Sequence, residues 1–129
     1  MTPRAVIVVA AGFLLLGVGA GAFGAHALRS RLSPDQLAVF ATGVQYHLVH
    51  ALGLLIVGVL WLQWPAAGGG LAASAALLAI GIVLFSGSLY VLVLTGVRGW
   101  GAVTPFGGLA WLAAWAVLAV TAWRQAATA

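Results

Sequence analysis

Between Asp35 and Arg98 lie 62 residues without a formal charge, and the runs from Ala5 to Ala25 and from Gly99 to Trp123 are equally free of Asp, Glu, Lys and Arg. Runs of this kind decide the solvent. Of the 129 residues, 64% are hydrophobic and 5% charged, and a domain this small leaves too much surface exposed to hide that apolar load in one core. The chain therefore reads as a polytopic protein of the cell membrane, the inner membrane if its source is bacterial.

The formal charge of +4 comes from five Arg against the lone Asp35. Arg4, Arg29, Arg31, Arg98 and Arg124 all sit at the ends of apolar runs, where they snorkel to phosphates and help set topology. That placement argues against nucleic acid as a partner and makes membrane lipids the expected one. Without cysteine, thiolate catalysis and Cys-based metal sites are excluded. Arg4, the stretch Val6 to Leu16 and Ala25-His26-Ala27 resemble a cleavable leader, but the apolar run continues to Ala25 and is expected to remain as a span.

Four spans follow from one pass along the chain, at about 5–28, 34–64, 71–95 and 105–123. Ser33-Pro34-Asp35-Gln36 is the best boundary signal: Ser33 caps, Pro34 suits the first turn, Asp35 complements the helix dipole and Gln36 completes a capping box. Pro65-Ala-Ala-Gly-Gly-Gly70 reads as a helix stop with flexible residues, flanked by Trp61 and Trp64 at an interface. Thr104-Pro105 opens the last span. The expected fold class is all-α, a single integral membrane four-helix domain running up-down-up-down with short loops. Gly17, Gly21 and Gly24 share one face of the first span and, with Gly43 and Gly107, are expected to admit close helix packing.

At about 1.5 Å per residue, Ser86 and Tyr90 lie roughly 22 and 28 Å up the third span, and His50 and Tyr46 lie roughly 20 and 27 Å from Trp64. These four are level in an antiparallel array. His26 ends the first span on that same side and Thr104 begins the fourth there, so His26, Tyr46, His50, Ser86, Ser88, Tyr90 and Thr104 are expected to approach one polar locus in one leaflet. Gln45 points away on the helical wheel.

Such a locus has more than one use. A neutral His bonded to Tyr, Ser or a backbone carbonyl ties helices together without any ligand, or the locus holds a lipid headgroup or quinone-like molecule, or it moves protons in an oligomer. His47 and His50 share a spacing that could bind metal, with His26 as a third ligand, but no carboxylate or thiolate offsets the ion's charge, so no metal and no cofactor are expected. Phe85-Ser86-Gly87-Ser88 resembles a nucleophile elbow but lacks its first Gly and an orienting acid. No catalytic set is complete, and the chain is expected not to be an enzyme.

Gly21-Ala-Phe-Gly-Ala-His26, Thr42-Gly43 with Tyr46 and His50, Leu84-Phe-Ser-Gly-Ser-Leu-Tyr90, and Thr104-Pro105 with Gly107-Gly108 and Trp115 resemble the domain of unknown function 423 family of small integral membrane proteins, which is similar to eukaryotic transmembrane protein 256. His47 lies outside the matching motif. The resemblance implies four transmembrane helices and an inner-membrane or mitochondrial setting, and implies no biochemical activity. The expected function is a non-enzymatic bundle whose polar locus serves helix packing and binds lipid, a quinone-like molecule or a membrane partner, including a second copy. The alternative is an oligomeric transporter or proton pathway through the intramembrane His residues.

Overall fold

A computed structural model describes residues 1–127. Its helices are α1 (Pro3–His26), α2 (Pro34–Gln63), α3 (Gly68–Gly81), α4 (Gly87–Thr95) and α5 (Thr104–Ala126). Short 3-10 turns at Pro65–Ala67 and Arg98–Ala102 precede α3 and α5, and a π-helical segment, Ile82–Ser86, joins α3 to α4. Four stretches are long and apolar enough to cross a membrane: Pro3–His26, Pro34–Gln63, Pro65–Thr95 and Arg98–Gln125. The protein is all-α, and it is a membrane protein.

Local chemistry sets the helix ends. Thr2 accepts from the Ala5 amide at 3.2 Å ahead of Pro3, so α1 starts earlier than the apolar pattern indicated. At α2 the Ser33 hydroxyl accepts from the Gln36 amide at 3.3 Å, while the Gln36 side chain accepts from the Ser33 amide at 3.0 Å. α4 stops at Gly96, whose φ of 71° is the only left-handed backbone among the described residues, with its amide donating to the Leu92 carbonyl.

The expected flexible link at Pro65–Gly70 is instead mostly helical. Pro65 opens a 3-10 turn and Gly68 to Gly70 begin α3. Pro65 has the φ that a first turn needs, and the glycines are there for space. A Cβ on Gly68 would stand 2.7 Å from the Trp61 indole nitrogen, and one on Gly70 would collide with the Thr121 hydroxyl.

Register is read from close approaches. Gly24 meets Phe40, Gly21 meets Val44, Gly17 meets His47 and Leu48, and Gly58 meets Val6 and Ile7, so α1 and α2 run antiparallel. Along the next pair Gly43 meets Tyr90 and Gly53 reaches Leu78, while Gly68 lies under Trp61. On α5, Thr121 lies at Gly70, Ala114 at Ser74, Trp111 at Gly81 and Gly107 at Phe85. The middle helices α2 and α3 pack on each other, with α1 chiefly on α2 and α5 chiefly on α3. Matching Gly24 to Phe40 also carries the first turn of α2, with Asp35, past the end of α1.

Lipid tails are as apolar as Leu, so burial in itself gives these helices little reason to associate; close packing and hydrogen bonds must do it. The main buried cluster accordingly mixes Leu54, Leu71 and Leu78 with small residues at the crossings: Ala10, Ala51, Ala75 and Ala114. Leu28, Phe40 and Val93 form a smaller cluster near the α1–α2 turn.

The π-helical segment breaks the continuous 71–95 helix that periodicity predicts. The Gly87 amide reaches back to the Ile82 carbonyl, which inserts a residue into the turn and re-aims everything after it. Two contacts flank the insertion. Trp111 lies against Gly81 and donates its indole N–H to the Leu78 carbonyl at 3.2 Å, and Gly107 comes against the Phe85 backbone so closely that a Cβ would strike the Phe85 nitrogen.

The glycine sockets are directly testable. Gly107→Ala and Gly81→Ala should each lower unfolding stability in detergent by about 1–3 kcal/mol, the usual range for overpacking. Gly19→Ala, at a position where a Cβ meets nothing within 4 Å, should leave stability unchanged or raise it.

Candidate functional site

The conspicuous polar side chains of the bundle gather at the level where α5 begins, but they divide into three contacts instead of one locus. The first joins α2 to α4. His47 Nδ1 and the Tyr90 hydroxyl are 3.2 Å apart, both inside the bundle, and Tyr90 also packs its ring on Phe40 at 4.9 Å. Two glycines make the contact: a Cβ on Gly43 would lie 2.9 Å from the Tyr90 ring and one on Gly17 would lie 3.3 Å from His47 Cδ2. His47 Nε2 is buried without a hydrogen-bond partner among the described residues, and the imidazole meets the Phe13 ring of α1 edge-on with centroids 5.7 Å apart. His47 thus braces α1, α2 and α4 at once.

The second contact faces α5. His50 Nδ1 lies 2.7 Å from the Tyr46 carbonyl oxygen, and a carbonyl only accepts, so Nδ1 carries the proton and donates. The imidazole then lies flat on Trp111, with ring centroids 3.6 Å apart and planes within 4°. Tyr46 and Phe85 extend this stack on one side and Trp115 borders it on the other. Tyr46 is 43% exposed, so its ring forms the outer wall.

The third contact ties the α4 and α5 N-termini. Ser88 donates to the Phe85 carbonyl at 2.9 Å, and its oxygen lies 2.7 Å from the Thr104 hydroxyl, which therefore donates to Ser88. The carbonyl belongs to the π-helical segment itself and the Ser88 hydroxyl to the turn that follows it. Ser86 is fully buried with no partner for its hydroxyl among the described residues.

Against the expected locus, the structure brings Tyr46 to His50 and Ser88 to Thr104, and it pairs Tyr90 with His47, not with His50. His26 stands apart: it is exposed at the end of α1 and forms no hydrogen bond or ring contact among the described residues. His47 and His50, three residues apart, turn about 60° from each other on a helix, so each finds a different neighbour and the two do not converge as metal ligands. Gly17, Gly21, Gly24, Gly43 and Gly107 all lie where a Cβ would press on another helix.

Sequence reading weighed His47 only as a metal ligand beside His50, left Trp111 outside the polar locus and passed over Ser74. Ser74 sits in the other half of the bundle, fully buried, and donates to the Ala114 carbonyl at 3.1 Å, so that half is not wholly apolar. The signal for Ser74 was its spacing three and four residues from Leu71 and Leu78 on the buried face. For His47 it was the four-residue step from Gly43.

Beside the His47–Tyr90 pair, a crevice of about 400 Å³ opens toward the membrane between α1 and the α3–α4 stretch. Its walls are apolar apart from that pair: Phe13, Leu16, Ala20, Ile82 and Val83, with Gly87 leaving space at the rim. The crevice offers apolar surface and is lined by no Asp, Glu, Lys or Arg.

If the contacts are separate, their energetics separate. A double-mutant cycle of His47→Leu with Tyr90→Phe should give a coupling of about 0.6 kcal/mol or more, as for interhelical hydrogen bonds in membranes. The cycle of His50→Leu with Tyr90→Phe should give coupling within about 0.3 kcal/mol of zero, read from unfolding of the purified protein in detergent.

The family described as "Protein of unknown function (DUF423)" matches residues 20–108. The membrane protein YwdK of Bacillus subtilis is 45% identical over 116 residues, covering 90% of this chain and 94% of that protein. The inner membrane protein YgdD of Escherichia coli K12 is 38% identical over 131 residues, covering 96% of this chain and 93% of its own. A membrane protein of Staphylococcus haemolyticus, SH2409, is 39% identical over 127 residues, covering 92% of this chain and 94% of that one. All three are named UPF0382 proteins, a name that carries no activity, and no solved structure matches the chain. The matched region includes His47, His50, Ser88, Tyr90 and Thr104 but not their neighbours Phe13, Gly17, Trp111 and Trp115, and the chain belongs to the DUF423 family of membrane proteins.

Proposed function

We propose that the protein is a non-enzymatic membrane bundle that binds a membrane-dissolved amphiphile, a lipid or quinone-like molecule, in the crevice beside His47 and Tyr90. The observation that carries this reading is the crevice itself. It is an open groove of about 400 Å³ with an almost wholly apolar wall, in which the two polar residues, His47 and Tyr90, are bonded to each other. Such a wall suits the apolar body of a membrane amphiphile.

The side chains capable of acid–base or nucleophilic chemistry support a packing role instead. His50 donates to its own helix and stacks on Trp111; Ser88 is engaged by Phe85 and Thr104. Asp35, the only carboxylate side chain, is exposed in the first turn of α2, beyond the end of α1. A general base oriented by an acid, and a nucleophile within its reach, are not assembled from these groups.

Gly87→Leu tests the reading, since a Cβ at Gly87 meets nothing within 4 Å and the longer side chain enters the crevice without disturbing a helix contact. Mass spectrometry of the intact protein extracted with its native lipids should show a bound molecule of defined mass on the wild type, reduced at least about fivefold by Gly87→Leu, the loss of roughly 1 kcal/mol of contact. Equal retention on both proteins, with unchanged thermal stability, sinks the proposal.

A further inference from the structure

A second crevice lies along α1, sharing no lining residue with the first. It encloses about 380 Å³ between the C-terminal half of α1 and the N-terminal half of α2, and its walls include Gly21, Ala25, Leu37, Ala41 and Val44, with Arg29 at its edge. The glycine at 21 leaves the floor low, because a Cβ there would stand 3.3 Å from Val44. Arg29 itself is exposed in the turn after α1, and no ion pair or hydrogen bond engages it among the described residues. The sole carboxylate side chain, Asp35, is not on the crevice wall.

This arrangement has two chemically distinct ends. The apolar part lies along α1 and α2 within the span, and the guanidinium stands where that span ends, at the depth of headgroups. A guanidinium presents a planar fork of donors that matches phosphate oxygens in pairs, and here it has no protein acid to neutralise it. We propose that this crevice seats a phospholipid, with Arg29 on the headgroup phosphate and an acyl chain along Gly21, Ala25, Ala41 and Val44. The inference rests on the lipid-binding reading given above and narrows it by naming the headgroup chemistry, at a separate place on the molecule. A phosphate-bearing solute would satisfy Arg29 equally but leave the apolar walls uncovered, so the tail distinguishes the two sources.

The test uses the full-length protein in detergent with three probes: dioleoylphosphatidylglycerol, dioleoylglycerol, which lacks the phosphate, and glycerol 3-phosphate, which lacks the tails. Binding is followed by mass spectrometry of the intact complexes. The wild type should prefer the phospholipid over dioleoylglycerol by about tenfold, the size of one charge-assisted hydrogen bond, and glycerol 3-phosphate should not displace it. Arg29→Gln should abolish that preference while leaving dioleoylglycerol binding as it was, and Arg31→Gln, an exposed neighbour outside the crevice, should retain it. Ala41→Trp, which fills the crevice from an exposed position and leaves Arg29 intact, should lose the preference too.

Retained preference in a folded Arg29→Gln or Ala41→Trp protein overturns the inference. So does equal loss in Arg31→Gln, which would assign the effect to diffuse charge, and so does displacement by glycerol 3-phosphate. In each of these cases the lipid-binding reading still stands if Gly87→Leu sheds its ligand; absence of any lipid on the wild type removes both.

Discussion

Helices that are already in lipid gain little by hiding apolar side chains from one another, and everything in this bundle follows from that constraint. Association has to come from close fit and from hydrogen bonds. The chain meets the first need with glycines set opposite large side chains: Gly24 under Phe40, Gly43 under Tyr90, Gly53 under Trp115 and Gly81 under Trp111. Each socket lets a ring lie against bare backbone, so dispersion contacts accumulate where a Cβ would hold the helices apart. At Gly107 the approach is tighter still, backbone to backbone against Phe85.

The hydrogen bonds do a second job, which is to specify register. Ser74 to the Ala114 carbonyl, Trp111 to the Leu78 carbonyl and Ser88 with Thr104 fix α5 at three heights along α3 and α4. Between the Trp111 and Thr104 contacts lies the π-helical segment at Ile82–Ser86, which inserts one residue into the turn. The buried Ser86 hydroxyl, with no partner among the described residues, lies in this same segment.

His47 and His50 show how one turn of helix serves two interfaces. Being about 60° apart on the wheel, one reaches Tyr90 and the Phe13 ring of α1 while the other lies on Trp111. The crevices open on the outer flanks of these braces, where α1 departs from its neighbours. α1 is packed along α2 but only lightly against α3 and α4, and the lipid-facing space beside His47 and the one beside Arg29 both lie along it.

Charge-free runs, end-placed arginines and the capping box at Ser33 determined by themselves that the chain is a membrane protein of four spans, since those signals act through solvent and through neighbours four residues away. Glycine spacing on α1 was equally readable, because period 3.6 places Gly17, Gly21 and Gly24 on one face whatever they meet. The level at which polar groups collect was accessible too, through rise per residue alone. The partners were not: that Tyr90 takes His47, that His50 lies on Trp111 and that His26 takes nothing among the described residues depend on helix rotation and crossing. Rotation is set by contacts between residues dozens of positions apart, and the inserted residue at Ile82–Ser86 shifts it again for everything that follows. Depth is a property of one helix and can be counted along the chain; azimuth is a property of the assembled bundle, and only packing decides it.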